Sequence, residues 1–115
     1  MIKINDFNKI IVANWKLNGT LDFVRDYFTN LGDIRLKSQV CGVICPPIPY
    51  LRDCLSYHQN PLILGAQDCS NFDNGAYTGE VSSKMLKDLN CSFCLVGHSE
   101  RREIFGQKNE DIRIK

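Results

Sequence analysis

In Gly97-His98-Ser99-Glu100-Arg101-Arg102 an imidazole, a hydroxyl, a carboxylate and two guanidiniums occupy five consecutive positions, directly after the apolar run Cys91 to Val96. Apolar run, glycine and polar cluster read as a strand turning into a short helix, and α/β folds place their chemistry in loops at the carboxyl ends of strands. A histidine opening that helix is positioned to be a neutral imidazole, able to donate to a carbonyl oxygen and to move a proton near neutral pH. Lys16, in Asn14-Trp15-Lys16-Leu17-Asn18-Gly19, likewise follows a strand pattern, where an ammonium can meet an anionic ligand. Gly97-His98-Ser99-Glu100-Arg101 also approaches the G-x-S-x-G nucleophile elbow. Against it, Arg101 replaces the final glycine and no histidine follows Ser99 to act as its base. His58, at the end of a predicted helix, reads as structural or solvent-exposed.

The elements that must position these residues alternate. Lys9 to Trp15, Val40 to Cys45, Leu62 to Ala66 and Cys91 to Val96 read as strands. Between them, Leu21 to Leu31 carries Leu21, Val24, Tyr27, Phe28 and Leu31 at helical spacing and ends at Gly32. Ile48 to Tyr57 and Ser82 to Leu89 read as two further helices. Gln67 to Gly79 is longer than an ordinary βα connection, and its Tyr77 and Thr78 suit a loop that reaches a partner or ligand. The strands are continuously apolar, the pattern of a parallel sheet covered on both faces. That pattern alone leaves open a doubly wound sheet or a barrel.

Composition narrows the function classes. The 115 residues carry 14 basic and 13 acidic side chains, net +1, with 43% hydrophobic residues. Dispersed, balanced charge argues against a nucleic-acid or membrane surface, and no apolar run is long enough to span a bilayer. The start, Met1 to Phe7, lacks the features of a signal or transit peptide, so a cytoplasmic location is expected. Of the six cysteines, Cys91 and Cys94 would point to opposite faces of one strand. Cys41 and Cys45 would sit about 13 Å apart along another, too far for a bridge. Buried, reduced thiols filling apolar space are expected, with no metal site.

Five segments in order, Asn14-Trp15-Lys16-Leu17-Asn18-Gly19, Cys45-Pro46-Pro47, Gly65-Ala66-Gln67-Asp68, Gly75 to Ser82 and Val96 to Arg102, closely resemble the N-terminal half of the triosephosphate isomerase family. The resemblance runs from about Lys9 to the end. It implies an α/β fold comprising the first four βα units of a (β/α)8 TIM barrel, with strands 1–4, helices 1–3 and the start of helix 4 in residues 1–115. It implies interconversion of dihydroxyacetone phosphate and glyceraldehyde 3-phosphate through an enediol(ate), a step of glycolysis and gluconeogenesis, with no cofactor.

By resemblance, Lys16 attracts the substrate phosphate and stabilises developing charge, and Asn14 positions the substrate. His98 polarises the carbonyl as a neutral electrophile, an account that is the family's own. Ser99 and Glu100 line the site and support its charge network. Thr78 tips a loop that enters the neighbouring subunit of a homodimer, Glu80 and Arg101 pair across that dimer, and Gln67 lies in the interface region. Gln107 departs from the family's usual Glu, removing a buried charge near the interface.

The family barrel takes about 250 residues. The family's carbon-proton base, its lid and its phosphate-gripping loops have no counterpart here, so the C-terminal half is expected to be absent and this chain inactive alone. A half-barrel would also expose two sheet edges and an inner face. The competing reading is a non-catalytic half-barrel that binds an anion or assembles without reacting; the joint presence of Asn14, Lys16, His98 and Glu100 favours the enzyme.

Overall fold

Four short strands pair in chain order: β1 (Lys9–Asn14), β2 (Val40–Cys45), β3 (Ile63–Ala66) and β4 (Phe93–Cys94). The computed structural model describes residues 3–57 and 61–115; His58 and the first two residues lie outside them. Every pairing is parallel, with Asn14 opposite Cys45, Ile44 opposite Leu64 and Ala66 opposite Cys94. The result is a curled, parallel half-barrel rather than an open doubly wound sheet.

The outer face is covered by α1 (Leu21–Leu31) and α2 (Leu51–Leu55), with α3 (Ser83–Asp88) beneath the β3–β4 side. The Thr20 hydroxyl accepts the Phe23 N–H at 3.0 Å to open α1, and Gly32 at φ 56° closes it. Between these ends Val24 and Phe28 are buried against Trp15, Ile44, Cys54 and Leu64. Phe28 stacks on Tyr57 at 4.4 Å between centroids. A second cluster joins Leu51, Ala66, Cys69 and Leu86. The opposite, inner face carries Cys41, Val43 and Cys45 against Ile63, Phe93 and Leu95. Gly65 makes that inner contact close: a Cβ there would lie 2.8 Å from Cys45 Sγ and 3.0 Å from Val43 Cγ1.

Several expectations need correction. The helix expected over 48–57 begins as a 3-10 turn, Ile48–Tyr50, before α2, because Pro47 and Pro49 remove backbone donors from its opening. β4 is two residues rather than six. Pairing nevertheless continues around it, from Ser92 N–H to Leu64 O at 3.0 Å and Leu95 N–H to Ala66 O at 2.9 Å. The last segment is two helices, α4 (Ser99–Glu103) and α5 (Asn109–Ile114), separated at Gly106, φ 69°. β2 is buried on both faces as expected, but β1 is not: Ile11 and Val12 are 55% and 43% exposed. β1 is an exposed edge of the described sheet, as anticipated for a half-barrel, but the inner face is not exposed at β2, where Cys41, Val43 and Cys45 are buried under Phe7, Ile10, Ile63, Phe93 and Leu95.

All six thiols are free. Burial raises Cys45 to about 11 and Cys54 to about 12, which keeps them as unreactive apolar fillers. Cys94 is exposed and Cys91 half-buried, contrary to the expectation for the whole set; Cys94 ends β4, an edge of the described sheet, and Cys91 precedes it. Among the described residues no helix is long and apolar enough to cross a membrane.

Candidate functional site

The carboxyl ends of β1, β3 and β4 open on one cleft of about 300 Å³. Asn14 and Lys16 line one side, Gln67 and Asp68 the floor beside Pro47, Ile48 and Pro49, and His98, Glu100 and Arg101 the other side.

Lys16 is placed by ties from its own strand and from beyond it. Trp15 extends the β1–β2 pairing by donating its N–H to Cys45 O at 3.1 Å, and its indole packs outward against Phe23 and Tyr27. With Trp15 anchored outward, Asn14 and Lys16 face the strand mouth. Lys16 then adopts φ 54°, a left-handed conformation that costs a non-glycine residue about 1–2 kcal/mol. It is held there because its N–H donates to Asn14 Oδ1 at 2.9 Å and its carbonyl accepts from Gln67 Nε2 at 2.9 Å. The same Gln67 nitrogen donates to Cys45 O at 2.8 Å. Gln67, expected at an interface, thus clamps the lysine loop within its own chain.

His98 is placed by Gly97, whose φ of 65° turns the chain out of β4. That φ favours glycine, and a Cβ at position 97 would also push aside the ends of the Ile112 and Arg102 side chains, 2.7 Å and 2.9 Å away. His98 then caps α4, its Nδ1 accepting the Glu100 N–H at 3.2 Å. A ring nitrogen that accepts carries no proton, so in this geometry the imidazole proton sits on Nε2. That hydrogen bond, at the opening of a helix of only five residues, sets the orientation of the ring.

Glu100 links the two sides. Lys16 Nζ lies 2.6 Å from Glu100 Oε1, across 84 positions of chain, and His98 Nδ1 lies 3.6 Å from Glu100 Oε2. The Lys16 ammonium, by its hydrogen bond and its charge, holds the Glu100 carboxyl below the ordinary carboxylate range. Both partners are about half exposed, so the ammonium remains accessible to an incoming anion. What the cleft offers chemically is a cation, a ring N–H donor and an amide converging at one opening.

The other expected site residues distribute as follows. Ser99 is the exposed first residue of α4 and does not line the cleft. Thr78 is exposed and Glu80 sits near Phe72 and Tyr77, whose rings stack at 3.8 Å and brace the long loop. Arg101 approaches Asp68 of its own chain, Nε to Oδ2 at 3.0 Å. That contact is charge against charge, since the buried Nε–H makes no aligned hydrogen bond. Asp68 was not singled out from the sequence, yet it also accepts from Gln107 Nε2 at 2.8 Å and from Lys115 Nζ at 2.8 and 2.9 Å. At the site of the Gln107 departure, then, the carboxylate is supplied by Asp68. No spacing signal could reveal this, because the partners lie 39 and 47 positions away. Among the described residues no group of three or more His, Cys, Asp or Glu side chains could hold a metal ion.

Comparison with known proteins gives one consistent family. The family model described as triosephosphate isomerase matches residues 9–115. The chain is 42% identical over 108 residues to the triosephosphate isomerase of Hahella chejuensis and 45% over 107 residues to that of Halorhodospira halophila. It is 46% identical over 111 residues to that of Herminiimonas arsenicoxydans. Each comparison covers 93% of this chain but only 44%, 42% and 44% of the respective relative. The chain thus spans less than half the length of the curated relatives it matches.

Proposed function

The chain belongs to the triosephosphate isomerase family, and on that premise we propose that it is the N-terminal half of an isomerase subunit interconverting dihydroxyacetone phosphate and D-glyceraldehyde 3-phosphate. The observation that carries the reading is that Lys16 and His98, from the ends of β1 and β4, meet at Glu100 in one cleft, Lys16 at its carboxylate and His98 at its backbone N–H.

Each group has a task in that reaction. The Lys16 ammonium exchanges part of its contact with Glu100 for the substrate phosphate and stabilises the negative charge that grows on the enediolate. Asn14 shares the substrate's position and keeps the Lys16 backbone in place. The Nε2–H of His98 donates to the substrate carbonyl oxygen. As charge develops there, the ring passes its proton to that oxygen and recovers one from the neighbouring hydroxyl. Removal of the carbon-bound proton needs a base, which the family supplies from its C-terminal half as a glutamate. Glu100 is not that base here, being engaged by Lys16. The long loop bearing Thr78 and Glu80 enters a second subunit of a homodimer, with Arg101 and Gln67 near that contact. The complete protein works in the cytoplasm, in glycolysis and gluconeogenesis.

The test is a coupled isomerase assay on the full-length polypeptide beside residues 1–115 alone. The expected result is turnover of both triose phosphates by the first and none by the second. A full-length polypeptide that binds inorganic phosphate but isomerises neither sugar would instead support the non-catalytic module.

A further inference from the structure

The helix that presents His98 and Glu100 has little of its own to hold it. α4 is five residues long and contains no buried residue, and helices this short are not stable without external support. Arg102 ties it to its own segment, through Gly97 O at 2.7 Å and Asn109 Oδ1 at 2.7 Å. Arg101 also covers the Phe105 ring at 4.6 Å, again within the segment. Besides the half-exposed Lys16–Glu100 pair, the charged tie to the sheet is the Asp68 carboxylate, just past the end of β3. It faces Arg101 from α4, receives the Gln107 amide from the connection after α4, and receives the Lys115 ammonium from the end of α5. Lys115 has a side chain only 5% exposed, and Asp68 is 21% exposed, so these contacts are sheltered from water and weakly screened.

We propose that Asp68 is a positioning residue: its carboxylate fastens the α4–α5 segment to β3 and so fixes where His98 stands in the cleft. The proposal rests on the isomerase reading and deepens it. Gln67 and Asp68 are consecutive, and they divide the work. Gln67 holds the Lys16 loop through Lys16 O and Cys45 O, while Asp68 holds the helix of His98 and Glu100. The Lys16–Glu100 contact then joins the two fastened sides.

Gln107 gives the proposal a distinctive test. Its NH2 faces Asp68 while its Oε1 is buried with no partner. The orphaned oxygen is tolerated because a charged acceptor holds the other end of the amide. The negative charge that Arg101 and Lys115 require can therefore be supplied from either side of the Asp68–Gln107 contact. Asp68→Asn removes it and leaves two cations facing neutral amides. The double variant D68N/Q107E moves it across one hydrogen bond.

In the full-length protein, Asp68→Asn is expected to lower kcat about 10- to 100-fold through misplacement of His98, with KM changed less than about threefold because Lys16 is held by Gln67. D68N/Q107E is expected to return kcat to within about threefold of the unsubstituted protein. In parallel, the ¹⁵N resonance of the acceptor Nδ1 of His98 should move in D68N and return in the double variant. Two results overturn the proposal. One is a loss of rate that follows the folded fraction; the other is a kcat and His98 resonance unaltered by Asp68→Asn. If Asp68→Asn does not fold, the double variant decides: restored folding with restored kcat supports the role, and restored folding with a depressed kcat overturns it. If the unsubstituted protein isomerises nothing, the functional reading fails, and the His98 resonance alone judges Asp68.

Discussion

Lys16→Ala in the full-length protein is expected to lower kcat/KM by at least about 10²–10³-fold, the magnitude associated with removing one preorganised stabiliser of developing negative charge. Two contributions add. The phosphate loses its cation, and Glu100, now without the ammonium 2.6 Å away, leaves an unpaired carboxylate in the cleft where an anion must dock. Like charges at such separations repel. The loss should therefore appear in KM as well as kcat. The fold should tolerate the change, because Lys16 is held by its backbone through Asn14 and Gln67 rather than by its side chain. Steady-state kinetics in both directions check this, and constants near those of the unsubstituted protein would remove Lys16 from the site.

His98→Gln is expected to lower kcat by about 10²–10⁴-fold, the usual contribution of a positioned acid–base group, while KM changes little. Stability should fall by no more than about 1 kcal/mol, the scale of a helix cap, since the amide oxygen can still accept the Glu100 N–H that Nδ1 accepts now. The pairing of a large rate loss with an almost unchanged thermal midpoint distinguishes an electrophile from a structural cap. A variant that unfolds early and keeps its rate per folded molecule would reverse the assignment.

Much of this arrangement is legible in the residues because its causes are local. Thr20 and Gly32 bound α1 at the residues expected, and the apolar run Val40 to Cys45 forms β2 over its whole length. Lys16 and His98 could be singled out because each follows a strand, and strand ends converge when the sheet is parallel. What was not legible depends on distant partners. The left-handed turn at Lys16 exists because Gln67, 51 positions away, holds its carbonyl. Asp68 matters because three groups far along the chain arrive at it. β4 shrank to Phe93–Cys94, and β1 stayed exposed on Ile11 and Val12, because burial of an edge strand depends on what lies beside it and not on its own apolar pattern.

The most direct measurement is a crystal structure of the full-length protein with a phosphorylated three-carbon enediolate mimic. Lys16 Nζ and His98 Nε2 should both lie within about 3.2 Å of that one molecule, the first toward its charged oxygens and the second at the oxygen that stands for the carbonyl. A mimic bound away from either group, with Lys16 and His98 still engaged only with Glu100, would contradict the account.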